Sequence, residues 1–358
     1  MAVEPMNNSS GVPEGAVGKP LWVSVSPHIR SGRTVKSIMW TVIITLMPAL
    51  IASICYFGLP VLILTLVSVI SCLAVEAACQ KFYKRPLRVN DGSAVLTGLL
   101  LAMVVPPNVP LWIMPLAAVL AIFVVKELVG GIGYNVFNPA LVGRAFLVAC
   151  FPVAMTTAYI EPSVFWLGAG TAATDAVTAA TDAVTAATPL TLLKHGGMAA
   201  VVAHYGQGGE MFINLLLGMR PGSAGETPAL FIALGGIFLI IRGIISWHIP
   251  AAMLATVALL TWIFGGDTGV FTGNPVFHLL NGGLMLGAFY MATDYVTSPT
   301  TARGKLIFGI GVGLLTVLIR LKGGYPEGVA YAILLMNPLT PCFERWFAPK
   351  RFAEPPKA

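Results

Sequence analysis

Ile38–Phe57 reads IMWTVIITLMPALIASICYF, twenty residues with no Lys, Arg, Asp, Glu or His. At the α-helical rise such a run spans about 30 Å, the thickness of a bilayer's hydrocarbon core. A second apolar run follows almost at once, over residues 60–79, and others recur along the chain. The 358 residues are 56% hydrophobic and only 10% charged, with a mean hydropathy of +0.83. That composition lies well outside the soluble range. The first run follows a polar arm and precedes many further runs, so it reads as a retained span rather than a cleaved secretory signal.

Working outward, candidate spans fall at 38–57, 60–79, 93–107, 111–130, 138–155, 229–246, 249–265, 276–292, 305–320 and 327–342. The expected fold is an all-α polytopic membrane protein with about ten transmembrane helices. Several runs are short and rich in Gly and Pro. Open backbone groups cannot face lipid, so these predict broken helices packed against neighbours. Arg30, Arg33, Lys36, Lys81, Lys84, Arg85, Arg88, Arg242, Arg303, Lys305, Arg345, Lys350 and Arg351 would share one side; Lys194, Arg220, Arg320 and Lys322 fall on the other. The positive-inside rule then puts both termini in the cytoplasm of a multi-pass protein. The organisation is a 1–37 arm, a 38–155 half, a 156–228 external segment, a 229–343 half and a 344–358 tail. The net charge of +6 is explained by these junctions, and no basic patch interleaved with aromatics points to nucleic acid. Cys55, Cys72, Cys79, Cys150 and Cys342 occur singly and lack the spacing of a metal or iron–sulfur site.

The two halves echo one another. Asn90-Asp91-Gly92-Ser93 opens a short apolar run, as does Leu280-Asn281-Gly282-Gly283. Gly130-Gly131-Ile132-Gly133-Tyr134 leads to Asn138-Pro139, while Gly323-Gly324-Tyr325-Pro326 leads to Asn337-Pro338. Two repeats of five spans necessarily have inverted topology, an arrangement that gathers helix breaks around an axis. Asn138 and Asn337 each fit a helix cap followed by Pro in the first turn. Asn135 and Arg144 beside the first pair argue for ligand binding as well. An Arg inside an apolar segment needs a carboxylate, carbonyl groups or an anionic ligand unless it snorkels.

Between the halves, Thr171–Val177 (TAATDAV) recurs unchanged as Thr178–Val184, and a partial copy runs Thr185-Ala186-Ala187-Thr188-Pro189-Leu190. Composition cannot choose among these hydroxyls, and Thr is a poor nucleophile without a base. His195 lies seven residues beyond Thr188. Attachment by a partner enzyme would remove the need for a built-in base.

Three stretches carry a family resemblance: Ser26–Gly32 (SPHIRSG), Asn90–Gly98 (NDGSAVLTG) and above all Gly133–Phe146 (GYNVFNPALVGRAF). With these the chain resembles the NqrB/RnfD family over nearly its whole length. That family comprises the D-type membrane components of Rnf electron-transport complexes and the B-type components of sodium-pumping NADH:quinone reductases. The resemblance implies a flavin-containing subunit of a bacterial inner-membrane translocase. It implies FMN attached by a flavin transferase, through a phosphodiester, to the last Thr of a Ser/Thr-Gly-Ala-Thr pattern. Thr188 is the match that continues as Thr-Pro-Leu, although Ala186 replaces the family's Gly and Thr174 and Thr181 sit in equivalent local settings. A second, noncovalent flavin, riboflavin or a related one, is implied around Asn135, Asn138 and Arg144.

Flavin passes one or two electrons. The chain has neither a dinucleotide-binding Gly-rich unit nor a cluster-binding Cys pattern. Other Rnf subunits, including the other flavin-bearing one, would therefore link it to ferredoxin and NAD, and catalysis by this chain alone is not expected. Asp91, Glu127 and Asp294 adjoin span breaks and are candidates for a Na+ or H+ route; Glu127 equally fits pairing with Lys126 or ending its span. A stand-alone secondary transporter without a redox role also fits the repeats and the broken spans, and a structural scaffold fits the apolar bulk.

Overall fold

A computed structural model describes residues 33–87, 89–162, 187–206, 209–266 and 269–348. Thr174, Thr181 and the intact seven-residue copies lie outside the described residues, as do most of the two termini. Among the described residues every regular element is helical. The first half comprises α1 (Val35–Phe57), α2 (Leu59–Phe82), α3 (Ser93–Met103), α4 (Ile113–Ala118), α5 (Pro139–Cys150) and α6 (Pro152–Thr157). α4 runs directly into a π-helical stretch, Val119–Glu127. Next come α7 (Pro189–Tyr205), α8 (Gly209–Leu217), α9 (Ala229–Ile241), α10 (His248–Phe264) and α11 (Pro275–Leu280). Finally α12 (Leu284–Leu286) continues as a second π stretch, Gly287–Met291, before α13 (Ala302–Lys322), α14 (Val329–Met336) and α15 (Thr340–Trp346).

α1, α2 and α13 are long and apolar enough to cross a membrane. Their packing explains how. On α1 Leu46, Ala49, Leu50, Ser53 and Phe57 face inward at helical spacing, while Ile44 and Ile51, one heptad apart, are exposed. An outward apolar face suits lipid rather than water. α13 lies against α10 through Gly309 and Gly313, where an added Cβ would come 2.8 Å from the Ile249 carbonyl oxygen and 2.8 Å from Thr256 Cβ, respectively. This small-xxx-small spacing lets backbones approach without a hydrophobic drive between helices.

The helix breaks anticipated in both halves are present. Gly92, at φ +84°, turns the chain into α3, and Gly283, at φ +64°, turns it into α12. Both conformations are left-handed and favour glycine. Asn337, by contrast, is not the N-terminal cap that its Asn-Pro pairing predicts: it sits at the C-terminal end of α14 and opens a 3-10 turn.

The segment expected wholly as an external loop holds α7 and α8, and its end inserts into the helical core. Gly225 N donates to Met103 O at 2.7 Å, and Ser53 Oγ of α1 donates to Ala224 O at 2.5 Å. The charge pattern also expects Arg220 and Arg320 in junctional loops. Both are instead buried, at 1% and 5% exposure. The reason lies in the broken helix: α11 ends without continuing, so its last carbonyls need donors. Arg220 donates to Leu280 O, and Arg320 donates to His278 O at 2.6 Å and Asn281 O at 2.7 Å.

Candidate functional site

Thr188 is the N-cap of α7, with Pro189 in the first turn. Its Oγ1 accepts from Thr191 N at 3.4 Å and lies 2.8 Å from Thr191 Oγ1. A cap of this kind satisfies one of the helix's free N–H groups. The Thr188 side chain borders a cavity of ≈ 330 Å³, lined also by Arg144, Thr191, His195, Tyr325 and Tyr331. Tyr325 and Tyr331 stack with ring centroids 5.5 Å apart. The wall is set by an ion pair between Arg144 on α5 and Glu327, to which Tyr159 Oη also donates at 3.3 Å. Glu226 lies close enough to Glu327 for their charges to interact. Arg144 thus has the carboxylate partner that an arginine in an apolar helix requires.

Asn135 and Asn138 lie elsewhere. They border a smaller cavity of ≈ 90 Å³ with Ser93, Lys126, Tyr290 and Asp294. The structure brings Asn135, Asn138 and Asp294 together and leaves Arg144 on the Thr188 cavity. Asn138 caps α5, its Oδ1 accepting from Ala140 N at 3.1 Å and Leu141 N at 3.4 Å. Its Nδ2 donates to Met291 O, the end of the second π stretch, at 3.3 Å. With the Asn337 amide oriented to suit its partners, Asn337 Oδ1 accepts from Asn138 N and its Nδ2 donates to Ile333 O, both at 3.1 Å. The two Asn-Pro elements of the halves therefore meet. Asn135 Nδ2 donates to Phe137 O at 3.1 Å, which turns its loop toward α5.

Asp91 and Glu127 border a third cavity of ≈ 360 Å³ with Glu76, Gln80 and Arg85. Glu127 lies 3.8 Å from Arg85, while Lys126 pairs with Glu76 at 2.5 Å. The alternative of a Glu127–Lys126 pair is thereby corrected: adjacent residues on a helix point in different directions, and each finds its partner on α2 or just beyond it. Sequence reasoning missed Glu76, Glu226, Glu327 and Tyr159 as members of these clusters. The signal was available, since an ionisable residue inside an apolar run is by default a functional one; Glu76 stands alone in such a run.

The residues around Thr188 suit a phosphorylated, planar cofactor. They combine a hydroxyl that can carry a phosphodiester, an imidazole and a guanidinium near it, and an aromatic pair for a flat ring system. A cavity of ≈ 330 Å³ lies at the small end of ligand-sized pockets. Among the described residues no cluster of three or more His, Cys, Asp or Glu has the arrangement of a metal site.

The sequence profile described as "NQR2, RnfD, RnfE family" matches residues 22–353 of the chain. The D component of the proton-translocating ferredoxin:NAD(+) oxidoreductase complex of Clostridium ljungdahlii is 44% identical over 330 residues, covering 92% of this chain and 95% of that protein. The D component of the Na(+)-translocating ferredoxin:NAD(+) oxidoreductase complex of Acetobacterium woodii is 46% identical over 329 residues, covering 91% and 93%. The D component of the ion-translocating oxidoreductase complex of Stutzerimonas stutzeri is 40% identical over 332 residues, covering 89% and 92%.

Proposed function

The chain belongs to the NQR2, RnfD, RnfE family, and on that footing we propose that it is a membrane subunit of an Rnf-type ion-translocating ferredoxin:NAD(+) oxidoreductase complex. In this reading it carries FMN on Thr188, relays electrons between partner modules that handle reduced ferredoxin and NAD, and helps couple the transfer to cation movement. It works within a multi-subunit translocase of the bacterial inner membrane, with both termini cytoplasmic and ten spans arranged as inverted halves over 38–155 and 229–343. A flavin transferase matures it. The similar proteins come from complexes named for H+ in one case and Na+ in the other, so the family leaves the ion open.

The observation that carries the flavin proposal is Thr188's place on the cavity shared with Arg144, His195 and the Tyr325–Tyr331 stack. Bound there, FMN would supply one- and two-electron transfer. The chain's own residues do the rest. Thr188 would anchor the phosphate. His195 would offer it a hydrogen bond, while Arg144, already neutralised by Glu327, would keep the wall in place. Thr188 is only 2% exposed, so attachment must precede closure of the segment over it. Asn135 and Asn138 are the residues that the resemblance suggests for a second flavin, but as placed they do not fit one: the cavity they border is ≈ 90 Å³, well below ligand-pocket size, and the Asn138 amide is already bonded to Ala140 N, Leu141 N and Met291 O. Arg144, placed with them by sequence, would act at the Thr188 cavity instead. Asp91, Glu127 and Asp294 remain the proposed acidic members of the ion route.

The test is complementation of a strain lacking this chain. Wild type should restore ferredoxin-dependent NAD reduction in membranes; Thr188→Val should assemble with its partner subunits yet lose that activity. Full activity in an assembled Thr188→Val complex would refute the flavin assignment. A stand-alone transporter would instead move its substrate without redox partners.

A further inference from the structure

The end of the 156–228 segment carries a carboxylate into the core. Gly225 pins the chain there: its N donates to Met103 O at 2.7 Å, and a Cβ at that position would come 2.6 Å from Leu286 Cδ2. Glu226, the next residue, is 5% exposed. Its Oε2 accepts from Ser223 N and Ser223 Oγ, both at 3.4 Å, which is long for a hydrogen bond. Among the described residues no Lys or Arg nitrogen forms an ion pair with it. The Lys and Arg residues outside the described ones all lie in 1–32, at 88 and in 349–358. The charge pattern assigns those stretches to the cytoplasmic side, opposite this segment.

A second carboxylate adjoins the first. Glu327 precedes α14, pairs with Arg144 of α5 and accepts from Tyr159 Oη at 3.3 Å. Arg220 and Arg320 also face the two carboxylates, but their Nη atoms serve carbonyls. Arg220 donates to Glu226 O at 2.8 Å, and Arg320 donates to His278 O and Asn281 O. Desolvation and the neighbouring like charge favour a protonated form, whereas the three guanidiniums favour ionisation. Opposed tendencies of this kind suit a group that both keeps and releases a proton. That proton belongs to the pair rather than to either residue. Glu327 is the member that lines the ≈ 330 Å³ cavity with Thr188, where His195 of α7 and Tyr331 of α14 also face it.

We infer that the Glu226–Glu327 pair is the proton donor and acceptor of the Thr188 cavity: it holds one proton and passes it through Glu327 to a ring nitrogen of the flavin bound there. The inference rests on the FMN reading above and names the residues that answer its change of charge. Two electrons reach the cavity from one-electron carriers of the partner subunits, and the flavin ring nitrogen becomes the stronger base. A carboxyl O–H bond of the pair then breaks and an N–H bond forms on the flavin. Both carboxylates are left ionised among Arg144, Arg220 and Arg320. Reoxidation returns the two electrons to a carrier and the proton to the pair, so no proton is exchanged with bulk water.

The experiment uses the assembled complex, with its partner subunits, in lipid vesicles. The signal of the Thr188-linked flavin is isolated by subtracting the spectrum of the Thr188→Val complex, and its midpoint potential is followed with pH. The wild-type midpoint should stay flat across neutral pH, because the pair supplies the proton. In Glu226→Gln the proton must come from bulk water, so the two-electron equilibrium should change tenfold per pH unit, about 30 mV. Glu226→Asp, which restores a carboxyl, should return the flat profile. Infrared spectra of the Thr188→Val complex read the pair without flavin: a buried protonated-carboxyl band should be present, and lost when Glu226→Gln is added. A flat profile in Glu226→Gln, a wild-type profile that already follows pH, or a carboxyl band unaffected by Glu226→Gln would overturn the inference. Mass spectrometry separates the two failures. A chain without FMN on Thr188 sinks the flavin reading itself, whereas a flavinylated chain with equal slopes in wild type and Glu226→Gln sinks only the role of the pair.

Discussion

Replacing Glu327 with Gln should destabilise the chain through the Arg144 it leaves behind. The two side chains are 13% and 11% exposed, so neither can recover its charge–charge partner from water. Breaking a buried pair from one side costs about 3–5 kcal/mol, because an uncompensated charge remains. Arg144 borders a cavity and Gln retains a carbonyl acceptor, which places this variant near the lower figure, about 3 kcal/mol. That shifts the folded-to-unfolded ratio roughly a hundredfold. Arg144→Met should cost a similar amount, since it strands Glu327 beside Glu226. The double variant Arg144→Met with Glu327→Gln removes both charges, and should be less destabilised than the two singles summed by about 2 kcal/mol, the coupling that a double-mutant cycle isolates. Reversible unfolding in mixed micelles, followed by tryptophan fluorescence, measures all three. Singles within about 0.5 kcal/mol of wild type, the range of an ordinary surface change, or strictly additive effects, would refute the reasoning.

Other substitutions probe different links. Gly98→Leu should disrupt α2–α3 packing, since even a Cβ there would come 2.7 Å from the Val69 Cα; a loss well above the usual overpacking cost of about 1–3 kcal/mol should appear as failure to purify as a monodisperse species, and normal yield would contradict the packing. Asn138→Ala removes the α5 cap and the bond to Met291 O, and should lower stability by about 2 kcal/mol or more; an unchanged melting profile would show the contact between the halves to be incidental. Thr188→Val deletes a cap worth about 1 kcal/mol, so thermal unfolding should shift only slightly. A collapse of the fold would give Thr188 a structural weight that this account does not.

The helical class was legible, and three of the expected spans return as α1, α2 and α13, because apolar runs and their Gly/Pro punctuation report directly on the solvent. Gly92 and the stretch before α12 were readable as breaks for the same reason. Pairing was not readable. Arg220 and Arg320 look like junctional charges until the truncated end of α11 is seen to need their guanidiniums. Arg144 and Asn138 are six positions apart in one motif, yet they sit on different cavities, because Asn138 caps α5 while Arg144 lies well into the helix. Lys126 and Glu127 are neighbours in sequence and have separate partners. Local patterns fix which groups are costly to bury; only the packing of distant helices decides what each is buried against.

The central claim is most directly tested by mass spectrometry of the peptide that contains Thr188, from chain purified together with its flavin-attachment machinery. A single FMN phosphodiester, placed on Thr188 by fragment ions and lost in Thr188→Val, is the predicted result. Attachment to Thr174 or Thr181 would contradict the role given to the Thr188 cavity, and an active complex with no covalent flavin on any peptide of this chain would contradict the flavin assignment.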